Sequence, residues 1–233
     1  MTAVDTAVPT QRLARIAGGC YLLTFVSIPT LVLYGHVHEP DFLTGGAPWE
    51  PVVVGGILEV IVAVACIGTA VALYPVLRRY AEARALGFVA ARIVEGTAIL
   101  VGVASLLAVV AMKRVEAGEL PVARALVAFY DADFLLSQGL IPAANALLLG
   151  SVLHRFHLVP RVLALIGFAG AALLLASDLA TLFGLWDRVS PVSALAALPI
   201  AVWEFSLGVY LVVKGVRVAD PGPGGIPSAP ATV

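Results

Sequence analysis

Residues Val52–Leu77 read VVVGGILEVIVAVACIGTAVALYPVL, and Arg78-Arg79 follow at once. The stretch is 26 residues long and holds one charged side chain, Glu59. A helix rises about 1.5 Å per residue, so about 20 apolar residues cross a bilayer. A transmembrane barrel strand is different, with about ten residues of alternating polarity. This run is continuous and far longer, so it reads as a membrane helix.

Five further runs have the same character: about Leu13–Tyr34, Leu86–Met112, Ala125–Leu153, Val162–Leu185 and Val192–Val213. The expected fold is therefore all-α, a six-helix transmembrane bundle forming one domain over residues 12–215. A polar tail, 1–11, precedes it. A Pro- and Gly-rich tail, 216–233, follows it and reads as disordered. The first run is longer than a signal-peptide core and has no A-x-A site after it, so it stays a membrane helix.

Composition agrees. Of the 233 residues 61% are hydrophobic and 12% charged, against about 25% charged in an average soluble domain. So few charges do not cover a soluble surface, which excludes a soluble enzyme and a nucleic-acid binder. Net charge is −1, so no overall field attracts an acidic partner. Cys20 and Cys66 lie inside apolar runs and read as small packing residues. Arginine outnumbers lysine in an Ala-, Val-, Leu- and Gly-rich chain, which fits a bacterial, high-GC origin.

Basic residues set the orientation. One set of flanks holds Arg12, Arg15, Arg78, Arg79, Arg84, Arg155, Arg161, Lys214 and Arg217; the other holds Lys113, Arg114, Arg124 and Arg188. That bias places both termini in the cytoplasm of a multi-pass plasma-membrane protein, with the lipid bilayer as its first partner. Lys113 and Arg114 run against it.

Six carboxylates and one arginine interrupt the spans: Glu59, Glu95, Asp131, Asp133, Asp178, Glu204 and Arg92. Each costs about 3 kcal/mol at mid-bilayer on insertion scales. They must face the bundle interior, pair, protonate or lie near the interfaces. Glu59 shares a helix face with Gly55, Ala63, Cys66 and Ala70, and Glu204 one with Ala197, Ala201 and Gly208. Asp178 shares one with Gly170, Ala171 and Leu174. Small residues let helices approach closely, so these are packing faces. Arg92 and Glu95 are three apart and pair on one helix, as a structural or a functional ion pair. Arg124, Asp131, Gln138 and Asn145 recur every seven residues as one polar stripe. Asp133 points away from Asp131, about 200° around the helix. Glu59, Arg92, Glu95, Glu204 and Asp178 are thus the primary candidates for an intramembrane site; Asp131, Gln138 and Asn145 are secondary.

Pro29, Pro142 and Pro199 free carbonyls within spans, which bends a helix or lines a site. His36-Val37-His38-Glu39 has too few ligands for a metal and reads as a solvated loop. There is no Gly-rich phosphate loop, no H-E-x-x-H and no G-x-S-x-G. No metal, cofactor or nucleic-acid partner is expected.

Further elements carry a resemblance. Arg15-Ile16-Ala17-Gly18 and Tyr21-Leu22-Leu23-Thr24 open the first span, and Ala72-Leu73-Tyr74-Pro75-Val76-Leu77-Arg78-Arg79 close the second. Arg92-Ile93-Val94-Glu95 stand in the third, and Ala197-Leu198-Pro199 with Glu204 in the sixth. In their order and spacing these resemble the bacterial membrane family catalogued as domain of unknown function 4386, over about Arg12 to Gly215. The resemblance implies a small multi-span membrane protein with Arg92, Glu95 and Glu204 as motif positions. It implies no reaction.

Three functional readings fit. One is binding or proton-linked transport of a small apolar or cationic molecule in an acidic intramembrane cavity; a homodimer would enlarge so small a carrier. The second is an accessory or structural membrane subunit. The third is a membrane-embedded acid–base enzyme acting on an isoprenoid or lipid, so enzymatic activity stays open. Convergence of Glu59, Arg92, Glu95 and Glu204 on a cavity of about 300 Å³ or more favours the first and third; a dry hydrogen-bonded knot favours the second.

Overall fold

A computed structural model describes residues 10–116 and 119–217. The expected tails lie mostly outside the described residues; helix α1 already begins at Thr10. The described residues form helices and connecting turns, with no strand among them. The helices are α1 (Thr10–Leu23), α2 (Thr30–Leu33), α3 (Glu50–Arg114), α4 (Leu120–Leu135), α5 (Ile141–Arg155), α6 (Arg161–Leu182) and α7 (Pro191–Val213). Counting α1–α2 and α4–α5 as continuous rods, 5 helices are long and apolar enough to cross a membrane.

The longest, α3, has 65 residues and turns back on itself at Ala81, whose φ of −155° and ψ of 81° leave the helical region. The turn falls where the apolar run gives way to Arg78, Arg79, Glu82 and Arg84. The two arms pack antiparallel. A Cβ on Gly96 would stand 2.9 Å from the Ala63 carbonyl oxygen, and one on Gly56 would stand 3.3 Å from Val103. The loop expected over 78–85 is instead helical on both sides of one residue.

The first rod departs from the unbroken run Leu13–Tyr34. It tightens to a 3₁₀ turn over Thr24–Ser27 before α2. The hydroxyls of Thr24, Ser27 and Thr30 each donate to a carbonyl three residues back, at 2.7, 3.2 and 2.7 Å. Pro29 has no N–H to continue the helical ladder. In the rod made by α4 and α5, Leu136–Leu140 form a π-helical turn that ends two residues before Pro142. The proline removes the donor that the Gln138 carbonyl would accept, so the register widens there. At the start of α7, Ser190 caps the helix by accepting from Ser193 N at 3.1 Å, with Pro191 at the first position.

The elements close into a ring: α1 packs on α7 and α3, α5 on α3 and α6, and α6 on α7, with α4 against α3. One apolar cluster fills the end holding Ala14, Leu77, Phe88, Leu153 and Leu158. A second fills the opposite end, around Tyr34, Phe42, Val52, Val109 and Tyr130. Between them lies a layer of polar groups. Trp203 is buried in the ring wall, its indole flat against Gly167 and edge-on to Tyr21 at 6.4 Å.

Lys113 and Arg114, at odds with the charge bias, have local partners. Lys113 Nζ donates to the carbonyls of Phe42 and Gly45, the latter at 2.8 Å, and stacks on the Phe42 ring. Arg114 lies over the Trp49 ring at 4.9 Å. Both cations fasten the 36–49 loop to the end of α3.

Candidate functional site

The seven-residue polar stripe and the two arms of α3 meet in the middle layer. Arg92 is 1% exposed and Glu95 4%. Arg92 Nη1 donates to both carboxylate oxygens of Glu95 at 3.1 Å, and Nη2 donates to Glu204 Oε1 at 3.3 Å. Asn145, from α5, donates to Glu95 Oε2 at 2.6 Å. The guanidinium also lies over the Tyr21 ring at 4.9 Å and the Phe88 ring at 5.7 Å. The expected Arg92–Glu95 pair is therefore made, and Glu204 reaches it from α7. Charge burial of this kind holds only while every partner is present.

Cys66 is more than a packing residue. Its thiol accepts from Arg92 Nη1 at 3.4 Å and donates to Glu95 Oε1 at 3.6 Å. The position, seven residues after Glu59, carried that signal.

Glu59 sits outside this knot, 1% exposed. Tyr130 donates to its Oε1 at 2.8 Å and Gln138 Nε2 donates to the same oxygen at 3.1 Å. Its Oε2 has no hydrogen-bond partner among the described residues. Tyr34 packs against Gly55, one turn before Glu59, and edge-on to Tyr130 at 5.3 Å. Both tyrosines were invisible as site residues in a sequence where aromatics are ordinary core.

Gln138 joins the two groups. It binds Glu59 and also lines a hollow of about 210 Å³ together with Cys66, Arg92, Glu95 and Glu204. The π-helical turn places it there. Glu59 does not line that hollow, and neither does Asp178, so the five primary candidates do not share one chamber. Glu59 and the Arg92 group flank Gln138 instead.

Asp178 is buried on α6, against the backbone of Gly139 in the same π turn, and its Oδ2 has no partner among the described residues. It does not reach the Arg92 group. Asp133 packs beside Gly102.

Asp131 belongs elsewhere again. Arg188, in the connection before α7, donates to Asp131 Oδ1 at 2.7 Å and stacks on Phe134 at 4.5 Å. His38 Nε2 lies 3.1 Å from that same oxygen, and His38 Nδ1 lies 2.8 Å from the Tyr34 carbonyl oxygen. Both ring nitrogens thus face acceptors, an arrangement only the doubly protonated imidazolium satisfies. The Asp131 hydrogen bond is the first cause raising the His38 pKa above its ordinary value; burial and Arg188 oppose it. The loop around His38 is exposed as expected, and the His38–Asp131 contact also latches it to α4.

The sign of the resulting pH dependence follows. A raised histidine pKa contributes stability fully below its ordinary value of about 6.5 and loses it as pH rises through the folded value. Amide exchange over residues 36–42, corrected for intrinsic rates, should therefore speed up by about threefold between pH 6 and pH 8. His38→Gln should flatten that change. An unchanged wild-type rate across this range would dismiss the latch.

A family model described as "Domain of unknown function (DUF4386)" matches residues 16–215. The comparison with curated proteins and the comparison with solved structures each return no match.

Proposed function

The chain belongs to the DUF4386 family, a domain of unknown function, and we propose its role from its own geometry: a membrane protein that binds a small cationic molecule in exchange for protons. In this reading the hairpin arms of α3 are separate crossings. The rods then make six crossings in a plasma membrane, and the basic flanks hold both termini in the cytoplasm.

The observation that carries the reading is a charge imbalance. Two buried or part-buried carboxylates, Glu95 and Glu204, share the single guanidinium of Arg92, and a third, Glu59, is buried outside that knot with no ion-pair partner among the described residues. Uncompensated charge in a low-dielectric interior is costly, so the deficit calls for protons or a bound cation. Glu59 Oε2, buried and without a partner among the described residues, suits a proton, and the hollow beside Gln138 has room for a cation. The hollow falls short of the roughly 300 Å³ that would favour binding on volume alone, and Glu59 stands outside it, so the reading rests on the charge deficit and the volume suits only a small ligand or a small charged head.

Isothermal titration of ethylammonium into the purified chain, in buffers of different ionisation enthalpy, tests this. Binding should release protons. Glu59→Gln should reduce the released number, and Glu204→Gln, at a residue that lines the hollow, should weaken binding by about tenfold, near 1.4 kcal/mol. Unchanged affinity in both Glu59→Gln and Glu204→Gln would remove the acids from the site.

One observation favours the second reading, a structural subunit: Arg92 Nη1 and Nη2 both spend their hydrogen bonds on protein groups. That reading expects the same variants to change stability and no proton count.

A further inference from the structure

The hollow beside Glu204 has a buried floor and an open side. Arg92, Glu95, Cys66, Ile99, Pro142 and Leu174 form the buried part. Gln138 apart, the partly covered or exposed lining residues come from two places only. One is the segment Thr24–Ile28, which includes the 3₁₀ turn; the other is α7, through Ala197, Ala201 and Glu204. The opening therefore lies between the first rod and α7. Lower down the same two helices are closed: a Cβ on Gly18 would stand 2.6 Å from the Gly208 carbonyl oxygen.

Glu204 lies near the middle of α7, and the broken turn near the middle of the first rod. With these helices crossing a bilayer, the opening faces hydrocarbon rather than water. The rim is apolar and aromatic, with Ile28 59% exposed and Phe25 edge-on to Phe205 at 5.5 Å. The charged group nearest the opening is Glu204, whose side chain is 19% exposed while that of Arg92 behind it is 2% exposed. Arg92 engages only Oε1 of Glu204; Oε2 makes no hydrogen bond among the described residues. An entrant thus meets a half-free carboxylate first, in apolar surroundings.

We propose that this hollow takes an amphiphilic ammonium ion, a protonated amine on an apolar tail, entering sideways between the first rod and α7. The ammonium sits between Glu204 and Gln138. The tail lies along Phe25 and Ile28 and runs out into lipid. The proposal rests on the cation-binding membrane reading above and adds to it the ligand class and the route.

The probe is radiolabelled octylammonium, with octanol and octanoate as uncharged and anionic matches, and the full chain in lipid nanodiscs. Octylammonium should bind at least tenfold more tightly than either match. Glu204→Gln should weaken it by tenfold or more. Ala201→Trp, which fills the opening, should abolish binding, while Val202→Trp, at an exposed position of α7 outside the hollow, should leave it unchanged; if the Ala201 variant does not fold, Ala197→Phe is scored in its place. Equal binding of octanol, or unchanged binding in Glu204→Gln, overturns the ligand class. Full binding in the filled variant overturns sideways entry. Thiol labelling separates these failures from failure of the membrane reading. Phe25→Cys and Ala201→Cys should react above the wild-type background with a lipid-soluble maleimide and not with a membrane-impermeant one. Labelling by the impermeant reagent would overturn the placement in lipid itself.

Discussion

Arg92→Met is expected to lower the unfolding free energy by about 3–5 kcal/mol, the cost of breaking a buried ion pair from one side. Methionine fills much of the volume, so packing loss contributes little. What remains is two carboxylates, Glu95 and Glu204, without the guanidinium that donates to both. Asn145 gives Glu95 one donor at 2.6 Å, and nothing of comparable charge replaces Arg92. Set against a typical total of about 5–15 kcal/mol, the loss is enough to cut the yield of folded protein. Denaturant unfolding of the detergent-solubilised chain, followed by helical circular dichroism, measures it. Adding Glu95→Gln and Glu204→Gln to Arg92→Met should restore most of the lost stability, because neutral amides leave no buried charge uncompensated. A triple variant no better than the single one would mean that shape, not charge, holds this layer.

How far this was legible in the sequence depended on the physical signal. Long apolar runs fix helices because a bilayer or a ring of helices leaves the backbone no other donors and acceptors, and each run is helical among the described residues apart from the break at Ile28–Pro29 and turns at its ends. The pairing of Arg92 with Glu95 followed from three-residue spacing, and the stripe of Asp131, Gln138 and Asn145 from seven-residue spacing. Each of these side chains does point to a polar partner. The stripe's partners, however, lie on other elements at separations of 50 to 93 residues, where no periodicity reaches. Asp131 illustrates this: its stripe neighbours serve Glu59 and Glu95, yet it is held by Arg188 and His38. The tight turn at Thr24–Ser27 was hidden for another reason. Thr and Ser in an apolar run look like tolerated small residues until their hydroxyls are seen bonding back to the helix carbonyls. The short turn at Ala81 carries no Gly or Pro to announce it.

Gly18→Leu should be the next most damaging change, at about 3 kcal/mol, the upper end for overpacking. The reason lies in what a side chain there would meet. A Cβ on Gly18 falls 2.6 Å from the Gly208 carbonyl oxygen and 2.8 Å from Val212 N, both backbone atoms of α7 that have no rotamer in which to retreat. The two helices must therefore separate along their length. Gly19 supplies the control, because a Cβ there has nothing within 4 Å. Gly19→Leu adds the same side chain to the same helix at an exposed position, and should be neutral within about 0.5 kcal/mol or mildly stabilising through helix propensity. Parallel unfolding curves for the two variants decide the matter. Similar losses at both positions would show that glycine is needed for chain flexibility. A loss at Gly18 alone would show that α1 and α7 are locked by backbone contact. Such a lock has a consequence for the layer above it. With the crossing pinned at Gly18 and Gly208, the turn at Thr24–Ser27 steers the chain past Ala201 and Glu204, so the width of the opening beside Glu204 is set by two glycines and three hydroxyls rather than by any residue that lines it.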